Sequence, residues 1–560
     1  MKQLRYYQEE AIDALYKFFA EHADGNPLIA LPTGAGKSLV IASFLKTIFT
    51  YYTWRSHRIV IATHVMELIE QNFEELIEHW PTAPAGIYSA GLKRRDIAPI
   101  TFCGIASVAG RYAEFGQVDL LIIDEAHLVS GKDDSQYQKF ILGLLKANPS
   151  LRVIGLSATC YRLGMGALTE GGIFTHVAYD MTSRDKFNKL LAEGYLARLV
   201  PKSTGTLIDV SDVAVRGGEY VDKEVQQAAD REEITRAALT ETLQYAKSTN
   251  RRKWLIFTTG IDHTEHVTAM LSSEFGVPCA SVHSKTSKEE RKSNIAGLRS
   301  GQLTALVNAN VLTTGFNVPD VDLIVVLRPT KSTVLWVQML GRGTRPFYAE
   351  GFDLSTVEGR LDAIRHSVKS DCLVLDFAGN TRRLGPINDP VLPRKKGEKQ
   401  GPSEAPFRVC PQCDTYNHAT ATHCVECGNE FPKLVRFGRT ADSAELIKGD
   451  AVNEFPVVET FKVDRVTYAT HMKPGKPTTL KVSYFCGLRL FREWVCLEHP
   501  GNIRHKAHKW WQQRTASEVP NSVEEAMARV NLLKTPAFVN VWTNTKYPEV
   551  KGYEFRPDGS

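Results

Sequence analysis

LPTGAGKS, residues 31–38, lies between the apolar run NPLIA (26–30) and the amphipathic stretch KSLVIASFLKTIF (37–49). A short β-rich run, a glycine-rich turn and a helical stretch in that order make a strand–loop–helix unit. Backbone N–H groups of Gly34, Ala35 and Gly36, with Thr33 leading into them, are placed to wrap a phosphate at the helix N-terminus. Lys37 then reaches β- and γ-phosphates, and the Ser38 hydroxyl suits Mg²⁺. Leu31 stands where the strict pattern has glycine. The strand and helix on either side therefore carry the reading against an ordinary glycine turn.

Working outward, similar apolar runs recur at 57–64, 100–108, 118–127 and 151–159, and again at 253–260, 277–284, 303–310, 321–330 and 371–380. Most are too short for core helices, and amphipathic segments such as SKEERKSNIAGLRS separate them. Continuous apolar strands alternating with helices indicate buried parallel sheet. The two blocks predict two α/β domains, at 1–195 and 196–385.

DEAH (124–127) closes the run LLII, at the strand end where ligand sites in open α/β sheets gather. Asp124 is suited to the Mg²⁺ shell and Glu125 to orienting and deprotonating a water. The bland alternative is a pair of acids at a helix N-terminus. STVLWVQMLGRGTR (332–345) reads as one helix capped by Ser332. On that helix Gln338, Arg342 and Arg345 share a face at i, i+4 and i+7, and two guanidiniums face a γ-phosphate as arginine fingers. Surface arginines near a helix end are the alternative.

With these stretches in order, the chain resembles the superfamily-two helicases of the DEAD/DEAH-box class over about 1–380. The resemblance implies two tandem RecA-like domains, with ATP and Mg²⁺ as cofactors. RYYQ (5–8) resembles the adenine-reading Q motif through Gln8. ATHVMELIEQ (62–71) resembles a strand-contact motif and implies Thr63 and His64 at nucleic acid. SAT (157–159) resembles the motif that couples hydrolysis to strand movement. NANVLTTGFNVPD (308–320) implies Thr314 and Gly315 near the backbone of the strand and Asp320 near the nucleotide. Within that class AGLKRR (90–95), DSQYQ (134–138), LTTGF, VDLIVVLRPT and LDFAGN resemble the RadD-type DNA-repair helicases, as does a cysteine cluster after the motor.

Residues 386–407 are rich in proline, glycine and lysine and read as a linker. CPQCDTYNHATATHCVECGNEF (410–431) then pairs C-x₂-C with C-x₂-C across ten residues. Four thiolates at Cys410, Cys413, Cys424 and Cys427 suit a closed tetrahedral Zn²⁺ ribbon over 408–432, with redox dithiols as the alternative and His418 and His423 as bystanders.

The remainder, 433–560, reads as a small α+β domain with 20 Lys+Arg against 14 Asp+Glu. That excess suggests a polyanion partner, or simply a solvated surface. RHKAHKWWQQR (504–514) interleaves bases and aromatics. Trp510 and Trp511 are candidates to stack on bases, with Arg504, Lys506 and Lys509 on phosphates. Core tryptophans beside exposed lysines are the alternative.

The N-terminal stretch carries charges throughout, no run offers about 18 apolar residues, and ten cysteines are too few for a disulfide scaffold. A cytoplasmic protein without a membrane partner is expected. The function expected is an ATP-dependent DNA helicase or translocase acting on single-stranded or branched DNA in repair, recombination or replication. An RNA helicase or a restriction-type translocase is the alternative. A nuclease has only PEVK (548–551) to draw on, and a zinc-ribbon adaptor with a dead motor conflicts with the intact Lys37, DEAH and arginines.

Overall fold

The computed structural model describes residues 3–52, 56–129, 135–162, 166–170, 172–309, 311–312, 316–391, 407–418, 421–431, 458–472, 477–487, 489–543 and 548–555. The chain forms two compact units, Met1–Leu434 and Val435–Ser560.

All ten apolar runs are strands, and they sort into two sheets by sequence block. In the first sheet the order is His176–Asp180, Pro27–Ala30, Arg152–Ser157, Leu120–Asp124, Ile59–Thr63, Ile100–Gly104, Ala85–Ser89 and Arg94–Arg95. Every pairing is parallel except that of the short Arg94–Arg95 edge. The strands Pro27–Ala30, Ile59–Thr63 and Leu120–Asp124 are buried along their whole length, because helices cover both faces. One face packs Tyr7, Val40, Phe44 and Phe102, the other Phe115, Phe140 and Phe174.

In the second sheet the order is Leu199–Lys202, Cys372–Asp376, Leu323–Val326, Trp254–Phe257, Ala305–Asn308 and Cys279–Val282, all parallel. Its faces are likewise filled, by Phe377 and Leu271 on one side and Trp336, Phe316 and Met339 on the other.

Most of the expected linker, 392–406, lies outside the described residues; the ribbon residues dock on the edge strand Leu199–Lys202. Lys202 bridges to Thr415, and its ammonium donates to the Cys413 carbonyl at 2.5 Å and Thr415 Oγ1 at 2.7 Å. Ser203 N–H donates to the Asp414 carbonyl at 2.8 Å, and Arg198 pairs with Glu426 at 3.0 Å. An unpaired strand edge is thereby covered.

The second unit holds two three-stranded antiparallel sheets. One is ordered Val458–Lys462, Phe538–Trp542, Glu549–Glu554, the other Arg465–His471, Thr479–Cys486, Arg489–Val495. Helices Asn502–Gln512 and Val523–Ala528 accompany them. The α+β reading of this region holds. Among the described residues no helix is long and apolar enough to cross a membrane.

Candidate active site

The strands Pro27–Ala30 and Leu120–Asp124 flank Arg152–Ser157, so the glycine-rich loop, DEAH and SAT emerge together at the C-terminal ends of three adjacent parallel strands. Gly34 and Gly36 take φ of +88° and +82°, left-handed values that favour glycine. A Cβ on Gly36 would also collide with the Gln8 amide. Gln8 is buried, accepts from Arg5 N–H at 2.9 Å and donates to the Ala35 carbonyl at 2.8 Å. The first helix is thus tied to the loop. The Lys37 ammonium lies 3.4 Å from the Leu31 carbonyl.

Ser38 Oγ donates to Asn72 Oδ1 at 2.5 Å, and Asn72 Nδ2 donates to Asp124 Oδ2 at 2.8 Å. The two residues predicted for Mg²⁺ therefore meet on one buried amide. Two oxygen donors converging on a small polar space fit a hard divalent cation. Asn72 itself was missed by sequence reasoning, although it directly follows the strand-contact motif.

Burial, then the neighbouring Glu125, raises the Asp124 carboxyl to about 6, against the pull of Lys37. Burial alone would raise Glu125 too, but Lys37, His127 and Arg342 outweigh it and hold that carboxyl below its usual value. Glu125 has φ of 55°, a strained backbone for a non-glycine residue and a frequent companion of functional sites.

The helix that begins at Thr333, capped by Ser332 Oγ accepting from Leu335 N–H at 3.2 Å, ends at Leu340 and does not run to Arg345. Close approach explains the break. A Cβ on Gly341 would sit 2.5 Å from Thr33 Cβ, and one on Gly343 would sit 2.7 Å from Cys372 Sγ. The chain turns instead and lies on the phosphate loop, where Thr344 Oγ1 donates to the Thr33 carbonyl at 3.1 Å. Gln338 and the arginines consequently part. Gln338 Nε2 meets His127 Nε2 at 3.1 Å. An amide N–H only donates, so His127 carries its proton on Nδ1, 3.0 Å from Ser157 Oγ. Three motifs from two domains are joined in that line.

Arg342 is buried and donates to the Phe316 carbonyl at 2.9 Å; half-buried Arg345 donates to the same carbonyl and to Asn317 Oδ1 at 3.1 Å. Burial lowers Arg342 to about 10 while Glu125 opposes it; Arg345 is lowered by burial and then by Arg342. Both stay cationic near neutrality.

A cavity of about 820 Å³ is lined by Gln8, Thr33, Gly34, Gly36, Lys37, Ser38, Asp124 and Glu125 from the first domain and by Asn317, Arg342, Arg345 and Tyr348 from the second. Asp320 is not among its lining residues; its carboxylate pairs with Lys253 at 2.5 Å. Thr63 is buried and His64 exposed. Thr314 and Gly315 lie outside the described residues, as does the start of DSQYQ.

The four ribbon cysteines bring their sulfurs within 4.8 Å of one another, with Cys410 and Cys427 at 3.6 Å and Cys413 and Cys424 at 3.6 Å. That convergence is what a tetrahedral ion needs. Trp510 and Trp511 correct the sequence reading: both are buried in the core of the second unit, and Trp510 Nε1 donates to Glu493 at 2.5 Å. Neither face is open to a base. Lys506 and Lys509 are exposed, and Arg504 donates to Asn521 at 2.8 Å.

Residues 1–162 match the family model "Type III restriction enzyme, res subunit" and residues 235–346 the model "Helicase conserved C-terminal domain". A protein named as a mitochondrial ATP-dependent helicase, irc3, of Schizosaccharomyces pombe is 27% identical over 396 residues, covering 70% of this chain and 60% of the relative. A protein named as an ATP-dependent helicase, IRC3, of Saccharomyces cerevisiae is 25% identical over 401 residues, covering 70% of this chain and 53% of the relative. The chain thus spans a little over half the length of these curated relatives. A solved ATP-dependent Type ISP restriction-modification enzyme, LlaBIII, bound to DNA aligns with a TM-score of 0.46 at 14% identity, covering 67% of this chain and 27% of that one. These matches, at residues 1–162 and 235–346, agree with the resemblance of the chain's motifs to the superfamily-two helicases.

Proposed function

We propose that the chain is an ATP-dependent DNA helicase or translocase. The observation that carries this reading is one cavity lined by Lys37, Asp124 and Glu125 from one α/β domain and by Arg342 and Arg345 from the other. Gln8 faces the base, Thr33 and the loop amides hold the phosphates, and Lys37 adds the charge that fixes them. Ser38 and Asp124 would hold Mg²⁺, which would neutralise phosphate charge. Glu125, kept ionised by Lys37, orients the attacking water and takes its proton. Arg342 and Arg345 stabilise the charge that develops when the cleft is closed. The Gln338–His127–Ser157 line reports the approach of the second domain to the carboxylates.

The ribbon cysteines hold one structural Zn²⁺, and metal analysis of protein purified without chelator should find about one ion per chain. A role in DNA repair is supported by the RadD-type stretches, and a cytoplasmic setting by the free cysteines outside the ribbon, such as buried Cys103 and Cys372. Single-stranded or branched DNA is the preferred partner. RNA remains the second reading, since backbone contacts alone do not separate the sugars. The restriction-type reading gains from the first family model, but not from a nuclease cluster: Lys551 pairs with Glu549 and lies over Trp542.

The test is ATP turnover with single-stranded DNA, duplex DNA and RNA in turn, for wild type, Lys37→Ala and Glu125→Gln. Both variants should lose turnover, the first with weakened nucleotide binding and the second with binding kept. Wild-type turnover in either variant would remove the site assignment.

A further inference from the structure

The ribbon and the edge of the second sheet share more than a covered strand. The chain passes from the first sheet to the second through residues 193–198, and the strand Leu199–Lys202 that follows pairs with Cys372–Asp376 along one side. It stands at the end of the sheet order, and the ribbon meets it with both knuckles. At the first knuckle Lys202 Nζ donates to the Cys413 carbonyl and to Thr415 Oγ1, and Ser203 N–H donates to the Asp414 carbonyl at 2.8 Å. At the second, Arg198 donates to the Val425 carbonyl at 3.3 Å and to Glu426 at 3.0 Å. Thr415 is fully buried, and its hydroxyl lies 3.3 Å from Cys413 Sγ.

A thiolate sulfur has no proton to give, so once Cys413 binds a metal the Thr415 hydroxyl is the donor of that pair. Thr415 Oγ1 itself accepts a proton from Lys202, and a hydroxyl that accepts from a cation donates more strongly. Ammonium, hydroxyl and sulfur thus form one line from the edge strand to a ligand of the ribbon. Asn417 acts on a second ligand from inside the ribbon: buried, it donates to Cys424 Sγ at 3.5 Å and accepts from Val425 N–H at 2.8 Å. Four thiolates around a divalent ion leave a net negative charge, which the Lys202 ammonium opposes.

The other side of the same strand reaches the arginine loop. Just before it, Ala197 N–H donates to the Thr344 carbonyl at 2.7 Å, and a Cβ on Gly343 would meet Leu199 Cδ2 at 2.9 Å as well as Cys372 Sγ. A cavity of about 370 Å³ is lined both by Leu340 and Thr344 and by Tyr416, Asn417 and Val425 of the ribbon. The geometry points to Lys202 and Thr415 as positioning residues of the zinc site, and to the zinc-loaded ribbon as a brace on the strand that supports the arginine loop. Zinc occupancy then governs ATP turnover without touching the phosphate loop. The brace rests on the ribbon's holding zinc, and with it each part sets the other: the edge strand sets the grip on the metal, and the metal sets the firmness of the strand.

The test is zinc transfer from the full chain to a chromogenic chelator at neutral pH, for wild type, Lys202→Met, Lys202→Arg and Thr415→Val. Lys202→Met and Thr415→Val should each weaken the hold on zinc roughly 10–100-fold, the range for residues that orient metal ligands. Lys202→Arg still offers donors to both oxygens and should keep most of it. Arg198→Ala, which removes an exposed ion pair, should change zinc transfer little. Hydrogen exchange of the wild type before and after zinc removal reads the brace. Removal should speed exchange in Leu199–Lys202 and at residues 341–345 as well as in the ribbon, while Ala305–Asn308, toward the far edge of the same sheet, keeps its protection. ATP turnover should fall on removal with KM for ATP unchanged, because the first domain's loop holds the ground state. Zinc held by Lys202→Met and Thr415→Val as tightly as by wild type would overturn the positioning role. Faster exchange confined to 407–431, or turnover indifferent to zinc, would overturn the brace. A wild type that holds no zinc would remove the metal site and the brace together, whereas zinc retained alike by wild type and both variants leaves the metal site standing.

Discussion

Two of the places where the described residues bury arginine do so in opposite ways. In the second unit Arg514 is 1% exposed. Its guanidinium donates to Tyr484 Oη at 2.9 Å and the Trp510 carbonyl at 3.1 Å, lies 3.9 Å from Glu493, and is stacked between Trp510 and Tyr553 at 3.9 and 3.8 Å. Its charge is answered from within. In the first unit Arg342 and Arg345 sit beside each other and donate to the Phe316 carbonyl, and the carboxylate nearest in effect, Glu125, belongs to the opposite wall of the cavity. The counter-charge named for Arg342 comes from across the cavity rather than from its own wall. The difference teaches that burial of a charge is not itself a functional sign; what matters is whether the fold supplies the counter-charge.

The largest expected effect tests the arginines of the cavity. Arg345→Ala should cut single-turnover ATP hydrolysis by about 10³-fold, in the range of arginine fingers, while ATP affinity stays near wild type because Lys37 and the loop amides hold the ground state. Arg342→Ala should follow, with an added disturbance of Glu125. Lysine should not rescue Arg345, because a point charge lacks the planar fork. A full-rate Arg345→Lys enzyme would make this site as structural as that of Arg514.

The complete site should respond in stability instead. Glu493→Leu strands the Arg514 charge in a core and should cost the second unit about 3–5 kcal/mol. Glu493→Leu combined with Arg514→Met should cost distinctly less, since neither charge is then left alone. Thermal unfolding of the single and double variants decides it. ATP turnover without nucleic acid should be unchanged in both, because the cavity draws its residues from the first unit. A double variant as damaged as the single would mean that the ion pair is incidental to packing.

The same contrast marks how far the sequence could be read. Ten strands and two largely parallel sheets were legible, because continuous apolar runs are local signals. The edge strands Leu199–Lys202, Ala85–Ser89 and His176–Asp180 were not, being short and less apolar. QMLGRGTR was misread for shape: helical spacing placed Gln338 with the arginines, whereas close packing of Gly341 on Thr33 turns the chain at Leu340. RHKAHKWWQQR was misread because the acid that settles it, Glu493, arrives from a strand outside the motif. Asn72 bridging Ser38 and Asp124, and the docking of the ribbon on Lys202, are likewise products of tertiary contact.

Lys369 lies between the two cases and gives the smallest expected effect. It is 1% exposed, and its ammonium donates to the Pro319 and Arg345 carbonyls at 2.7 Å each. It thus pins the backbone of the arginine loop. Carbonyls answer a charge less fully than a carboxylate does, and burial pulls this lysine from 10.5 down to about 8. The folded state therefore holds its proton less tightly than the unfolded chain. Above pH 10.5 both states are neutral and burial of the charge costs nothing; as pH falls the cost grows, and it is complete once the folded group titrates near 8. Wild-type stability relative to Lys369→Met should therefore rise by about 2 kcal/mol between pH 8 and pH 10. Denaturant unfolding of the pair at the two pH values measures it, and acids, tyrosines and ribbon cysteines common to both cancel. A gap that does not change with pH would mean that the two carbonyls compensate the lysine as fully as Glu493 compensates Arg514, and that the arginine loop next to it is better answered than its contacts suggest.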